Sequence, residues 1–264
     1  MTKSANNSSD RSSGLSGSIL KRIGRKLILW LGSFFESQSL VGNAPILDNK
    51  LFPFLDQFTE QWEDILKEAN GILEFREEIP AFQEISPDQK RISKEHNWRT
   101  FFLFGFGSKL PKSCAYAPVT ASLLENVPDL QSAWFSILAP GYHIPAHKGV
   151  SRGILRVHLG LIVPKDREKC RLRVKDIIQT WNPGEIFVFD DTYDHEVWND
   201  TNEERVVLLF DFDRPMKWWG RVVNKSFVSI MKRTSFFKVP KNNLEAFEKR
   251  LEEMKKNHSS SNDV

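Results

Sequence analysis

The chain has 264 residues, enough to bury one sizeable core with appended ends. Its composition, 40% hydrophobic and 27% charged, is ordinary for a soluble globular protein, and 37 basic against 34 acidic residues leave a net charge of +3 that gives no ground for a polyanion partner. Two cysteines, Cys114 and Cys170, exclude a disulfide framework and a zinc-ribbon spacing, while leaving open whether they pair with each other.

Residues 1–18 are rich in Ser, Asn and Gly and are expected to be disordered. Residues 19–36 set Lys21, Arg22, Arg25 and Lys26 among Ile23, Leu27, Ile28, Trp30 and Leu31, a short basic amphipathic segment. Its apolar run, Leu27 to Phe35, starts late for a secretory signal, lacks a small-residue cleavage pattern, and falls far short of the ~20 residues of a spanning helix. The expected compartment is a reducing cytoplasm, with peripheral attachment to the inner face of the membrane if the basic segments bind there. The stretch from Phe54 to Phe75 has helical spacing (Phe58, Trp62, Ile65, Leu66, Ile72), interrupted near its end by Gly71.

From about Trp98 the pattern changes to short apolar strands parted by Pro, Gly and Asp clusters. The predicted strands are Thr100–Phe106, Ala133–Leu138, Gly153–Val163, Lys169–Val174, Glu185–Phe189 and Arg205–Phe212, which suit a sandwich or roll. Strand alternation puts Leu155, Val157, Leu159 and Leu161 on one face and Arg156 and His158 on the other. Arg205 shares a face with Val207 and Leu209. Residues 45–215 form the expected domain, with its helical part first. Residues 216–264 are expected to hold a basic amphipathic helix over Met216–Lys238 and a charged, solvated tail helix that frays from Glu245 to Lys256.

Two histidines stand apart from the others. His147 follows the turn-like Pro140-Gly141, and His195 follows Phe189-Asp190-Asp191, with Arg205 opening an apolar strand ten residues later. Neutral imidazoles suit Fe(II), and a guanidinium fork matches a carboxylate in charge and shape. His96 and His143 are expected to be structural or surface residues, and His258 to be idle in the polar tail.

The stretch from Trp98 to Met216 resembles the aspartyl/asparaginyl β-hydroxylase family of Fe(II)/2-oxoglutarate dioxygenases. The resemblance rests on Pro140-Gly141, His147-Lys148-Gly149, Leu155 to Leu161, Trp181, Gly184-Glu185, Phe189-Asp190-Asp191, His195-Glu196-Val197-Trp198 and Arg205. It implies a mainly β fold with a double-stranded β-helix (jelly-roll) core, N-terminal helices and a C-terminal basic amphipathic helix. It implies that His147 and His195 ligate Fe(II). Ser136, His158 and Arg205 would hold the co-substrate 2-oxoglutarate, O₂ would be the second co-substrate, and Arg156 would contact substrate. The carboxylate of the usual iron triad would stand two residues after the first histidine, where this chain has Gly149, so ligation by two histidines is expected.

The substrate is read two ways. His195-Glu196-Val197-Trp198 follows the members that hydroxylate Asp and Asn side chains, but Ile154 stands where those enzymes carry a second arginine. Arg214-Pro215-Met216-Lys217 and Asp191-Thr192-Tyr193 resemble instead the bacterial lipid A 2-hydroxylase-like branch. No acid occurs between Arg214 and Lys238, while Trp219, Val222, Val223, Phe227, Ile230 and Met231 are expected on one helical stripe, a pattern that suits an anionic membrane surface. The expectation leans to a lipid acyl chain over an Asp or Asn residue of a peptide. A membrane-surface binding module with an inert β-helix is the non-enzyme alternative, and nucleic acid is not an expected partner.

Overall fold

The computed structural model describes residues 29–261. The expected disordered stretch 1–18 and the first ten residues of the basic segment lie outside the described residues. In chain order the elements are α1 (residues 29–38), β1 (Ile46–Leu47), α2 (Asp56–Glu60), α3 (Trp62–Leu73), α4 (Phe82–Ile85), β2 (Trp98–Gly105), β3 (Ser108–Lys109), α5 (Pro111–Cys114), α6 (Pro118–Glu125) and β4 (Leu130–Leu138). Then follow β5 (His143–His147), β6 (Ile154–Ile162), β7 (Cys170–Val174), β8 (Ile177–Thr180), β9 (Ile186–Phe189), β10 (His195–Asn199), β11 (Arg205–Asp213), α7 (Trp218–Met231) and α8 (Ser235–Ser261).

The strands form two antiparallel sheets, a seven-stranded one in the order β1-β9-β6-β11-β4-β2-β3 and a four-stranded one in the order β5-β10-β7-β8. Non-consecutive neighbours such as β6 between β9 and β11 are the mark of a jelly roll, so the fold is mainly β, as the resemblance implied. Alternation along β6 divides the interior in two. Leu155, Val157 and Leu159 pack outward against Phe58 of α2, Ile65 and Ile72 of α3, Leu124 of α6 and Phe247 of α8. On the other side Trp134, Val207, Leu209, Phe187 and Phe189 face Ile144, Leu172, Val174 and Val197 of the smaller sheet. This inner space contains the site.

All six predicted strands form, with ends shifted by at most three residues. Five strands were not foreseen: the two-residue β1 and β3, and β5, β8 and β10. Pro145 in β5 argues against an interior strand, but β5 is the edge of the smaller sheet, where a missing N–H costs no ladder bond. Cys114 and Cys170 are both free and buried, the first in the outer core and the second in the inner one, so the sheet keeps them apart.

The tail departs from expectation. Leu244, Phe247 and Leu251 of α8 are buried at helical spacing, and the Glu248 carboxylate accepts from the backbone N–H groups of Lys112 and Ser113 and from the Ser113 hydroxyl. A stripe of three apolar residues among charges was enough to dock the helix on α5 and the sheet. The stripe foreseen on the preceding helix is also split: the side of α7 that is buried carries Gly220, Asn224 and Val228, while Trp219, Val222 and Ile230 point to solvent. Among the described residues no helix is long and apolar enough to cross a membrane.

Candidate functional site

His147 and His195 are direct cross-strand partners on β5 and β10. Their ring centroids are 4.1 Å apart. The two rings are held alike. Nδ1–H of His147 donates to its own strand's Pro145 carbonyl at 2.8 Å, and Nδ1–H of His195 donates to the Tyr193 carbonyl at 2.9 Å. A carbonyl only accepts, so the proton sits on Nδ1 and each Nε2 keeps its lone pair. Burial drives both below the ordinary histidine range, His147 to about 4 and His195 to about 3, with the neighbouring His147 ring adding to the effect on His195. Two neutral imidazoles with free Nε2 lone pairs, oriented by second hydrogen bonds, form a donor set that suits a divalent first-row metal.

His158 has the opposite tautomer. Trp181 Nε1–H donates to its Nδ1 at 3.3 Å, so the proton is on Nε2, which is buried without a partner among the described residues. Burial holds this imidazole far below its usual pKa, and the nearby Arg205 guanidinium adds to the shift. Phe189 stands between His158 and His195, at ring distances of 5.1 and 5.7 Å. Trp181 in turn faces the Arg205 guanidinium at 4.8 Å. Arg205 is 1% exposed, has an unpaired Nε, and makes no ion pair among the described residues. Desolvation lowers its pKa to about 10. A buried cation without a counter-ion is costly, and a carboxylate ligand would supply what it lacks.

Cross-strand pairing explains how these residues meet. Thr100 of β2, Ser136 of β4 and Val207 of β11 form one row across the inner face, and Phe102, Trp134, Leu209, His158 and Phe187 form the next. Ser136 Oγ accepts from Trp98 Nε1 at 3.0 Å, which leaves its own hydroxyl proton to donate. Thr100 Oγ1 and Trp134 Nε1 are buried without partners on this same face. Thr100 was missed by sequence reasoning. Its only signal was its alternation with Phe101 and Leu103, which turn to the outer core.

Arg156 occupies a third row, between Asp211 and Phe189. Its guanidinium is taken by two carboxylates: Nε and Nη2 donate to Asp211 at 2.8 and 2.9 Å, and Asp191 lies at 3.3 Å. Burial opposes its charge, but the two carboxylates outweigh this and raise its pKa. Gly149 lies under Asp191, whose backbone carbonyl accepts from Gly149 N–H at 2.7 Å. A Cβ at position 149 would overlap the Asp191 carboxylate, so the place where an iron triad carries an acid has no room for a side chain. Asp194 binds Arg173, while Asp190 caps Thr192 and pairs with buried Arg214. Among the described residues no three His, Cys, Asp or Glu side chains converge on one point.

A cavity of about 190 Å³ opens beside the histidine pair. His147, Arg156 and Asp211 line its polar end, Phe82, Phe102 and Trp134 its floor, and Phe227, Met231 and Phe237 the wall made by the C-terminal helices. Arg205 and His158 are not among its lining residues, so the cavity does not reach that buried polar cluster. His143 stacks on Trp198 at 5.1 Å on the outer surface, and His96 is exposed in a loop; neither joins the site.

The chain is similar in sequence to known proteins of one family. The model of the family described as aspartyl/asparaginyl beta-hydroxylase matches residues 59–215. The chain is 38% identical over 234 residues to the ornithine lipid ester-linked acyl 2-hydroxylase of Rhizobium tropici, covering 89% of this chain and 83% of that protein. It is 34% identical over 134 residues to the aspartyl/asparaginyl beta-hydroxylase of Homo sapiens, covering 49% of this chain but 17% of the human protein. Among solved structures it is similar to a cupin 2 conserved barrel domain protein from Salinispora arenicola, with a TM-score of 0.29 and 14% identity over 45% of this chain and 78% of that one.

Proposed function

The chain belongs to the aspartyl/asparaginyl β-hydroxylase family, and from that premise we propose that it is an Fe(II)- and 2-oxoglutarate-dependent dioxygenase that hydroxylates the acyl chain of a lipid. His147 and His195 would hold the iron through Nε2. Arg205 and Ser136 would take the distal carboxylate of 2-oxoglutarate, and His158 Nε2–H would donate to the carboxylate near the metal. With O₂, the bound iron and 2-oxoglutarate supply the oxidising power to place one oxygen atom on an unactivated carbon.

The protein's own part is binding, orientation and dryness. Among the described residues no carboxylate pairs with Arg205, so its desolvated fork would be open to a ligand's. Trp181 fixes both ends of this pocket, donating to His158 Nδ1 and stacking under Arg205. Phe187 and Phe189 pack against His158, an apolar cover that would keep water from its ring.

The observation that carries the lipid reading is the apolar cavity beside His147, walled by Phe227, Met231 and Phe237. The match to the rhizobial lipid acyl hydroxylase over most of both chains supports the same substrate class. The Asp/Asn-peptide reading is less well supported, because its expected cation, Arg156, is already held by Asp211 and Asp191. Mass spectrometry of total lipid from cells with and without the protein tests the reading. A lipid should gain one oxygen, and only with His147 and His195 intact. An unchanged lipid profile, with succinate formed on Asp- or Asn-containing peptides, would transfer the assignment to proteins.

A further inference from the structure

We propose that α1 and α7 together form a docking face for an anionic lipid bilayer, placed one helix thickness from the cavity. α7 has two working sides. Phe227, Val228 and Met231 line the cavity, whereas Trp218, Trp219, Val222 and Ile230 are 58%, 63%, 40% and 62% exposed. Single exposed apolar residues are common on protein surfaces, but adjacent tryptophans with rings 4.2 Å apart on one exposed side are not of that kind.

α1 lies beside α7 and extends the same surface. Phe35 meets Phe227 edge-on at 6.4 Å, Lys217 N–H donates to the Gln38 carbonyl at 2.9 Å, and Gly220 leaves room for Gln38. Leu29 and Trp30 of α1 are 65% and 60% exposed. The groove between α1 and the loop after His147 shares Lys148, Val150 and Phe227 with the cavity, so this surface borders the site.

Charge selects the occupant. Lys217, Arg221, Lys225 and Arg233 flank the apolar residues with no acid between Arg214 and Lys238, and among the described residues only Lys225 of these four forms an ion pair, to Asp129. Tryptophans beside one-signed basic charge match the interface of an anionic membrane, where the rings bury at headgroup depth and the cations meet phosphate. The face also gives the acyl-lipid reading a route of entry, because a chain leaving the bilayer at α7 is one helix away from Met231. The inference deepens that reading, and its vesicle-binding readout does not depend on turnover.

The test is co-sedimentation of the full chain with vesicles of phosphatidylglycerol and phosphatidylcholine, and with vesicles of phosphatidylcholine alone. Binding should require the anionic lipid and weaken with salt. The double variant Trp218→Ser/Trp219→Ser should lower vesicle partition by about tenfold or more, since each ring loses a large apolar burial. Arg221→Glu should lower it too, while both variants keep the parent's turnover on detergent-dispersed acyl lipid. Equal partition of variants and parent, no binding to anionic vesicles, or a concentration-dependent dimer that the double variant abolishes would overturn the docking face. Vesicle binding by a parent protein that hydroxylates no lipid would leave the face standing and sink the substrate reading instead.

Discussion

The two faces of the seven-stranded sheet are built from the same strands and are put to opposite uses. The outer face is apolar wherever it meets helices: Phe101, Phe135, Leu155, Val157, Leu208 and Phe210 are buried against α2, α3, α6 and α8. The inner face carries Thr100, Trp134, His158 and Arg205, each with a buried polar atom that finds no partner among the described residues. Such atoms cost about 1–3 kcal/mol each, so the inner face holds stability in reserve that a ligand can return. The same contrast sets the tautomers. His147 and His195 direct lone pairs inward, where a cation would bind, and His158 directs an N–H inward, where an anion would bind.

The sharpest way to break this comparison is at the histidine pair. His147→Ala or His195→Ala should reduce turnover by about a thousandfold or more and abolish tight Fe(II) binding, read by calorimetry, with little change in fold. Substantial residual turnover would remove these residues from the metal site. The matching change on the outer face is Phe58→Ala, which empties a fully buried position stacked on Phe210 at 4.9 Å. Stability in urea should fall by about 3–4 kcal/mol, while the KM for 2-oxoglutarate of the folded fraction stays put. A moved KM would mean that the two faces are not independent.

Arg205→Met separates binding from stability within the inner face. The KM for 2-oxoglutarate should rise about thirtyfold, because a buried carboxylate loses its cation. The ligand-free variant should melt at a higher temperature than the parent, since an unpaired buried charge has been replaced by an apolar side chain. A lower Tm would show that Arg205 is structural.

A pH-dependent effect is expected at the end of β11. Burial raises the Asp213 carboxyl to about 6, with Asp129 adding to the shift and Gln131, Lys225 and Lys232 opposing it. A carboxyl whose folded pKa lies above its unfolded value stabilises the fold at low pH, and that contribution is lost as pH rises through about 6. Asp213→Asn should therefore gain on the parent between pH 4 and 7, by up to about 3 kcal/mol in a pH series of thermal melts, and by less where solvent screens the carboxyl. An unchanged difference across that range would show that Asp213 is not desolvated.

What could be read from the sequence follows from local rules. Alternation in Leu155 to Leu161 separated the core-facing residues from Arg156 and His158, and the six strands of period two fixed the fold class. The motif order brought out His195, Ser136, His158 and Arg205, which are buried in the roll, and His147, half-buried on its edge strand. The strands that carry the two histidines were less legible. His195, Val197 and Asn199 do alternate inward with Glu196 and Trp198 outward, but five residues with one apolar inward side chain make a weak signal.

Other features were decided only when distant strands paired. Arg156 is separated by 55 residues from the Asp211 that holds it, and that partnership exists because β6 and β11 are neighbours in the sheet. Thr100 faces the site only through β2 pairing with β4, and Asp191 fills the space above Gly149 only because two loops meet there. Whether Trp219 or Met231 turned inward was set by which side of α7 the roll covered, a choice the helical period alone leaves free. Local chemistry determined the strands and the reactive residue types; long-range pairing determined which charges were already spoken for and which were left open to a ligand.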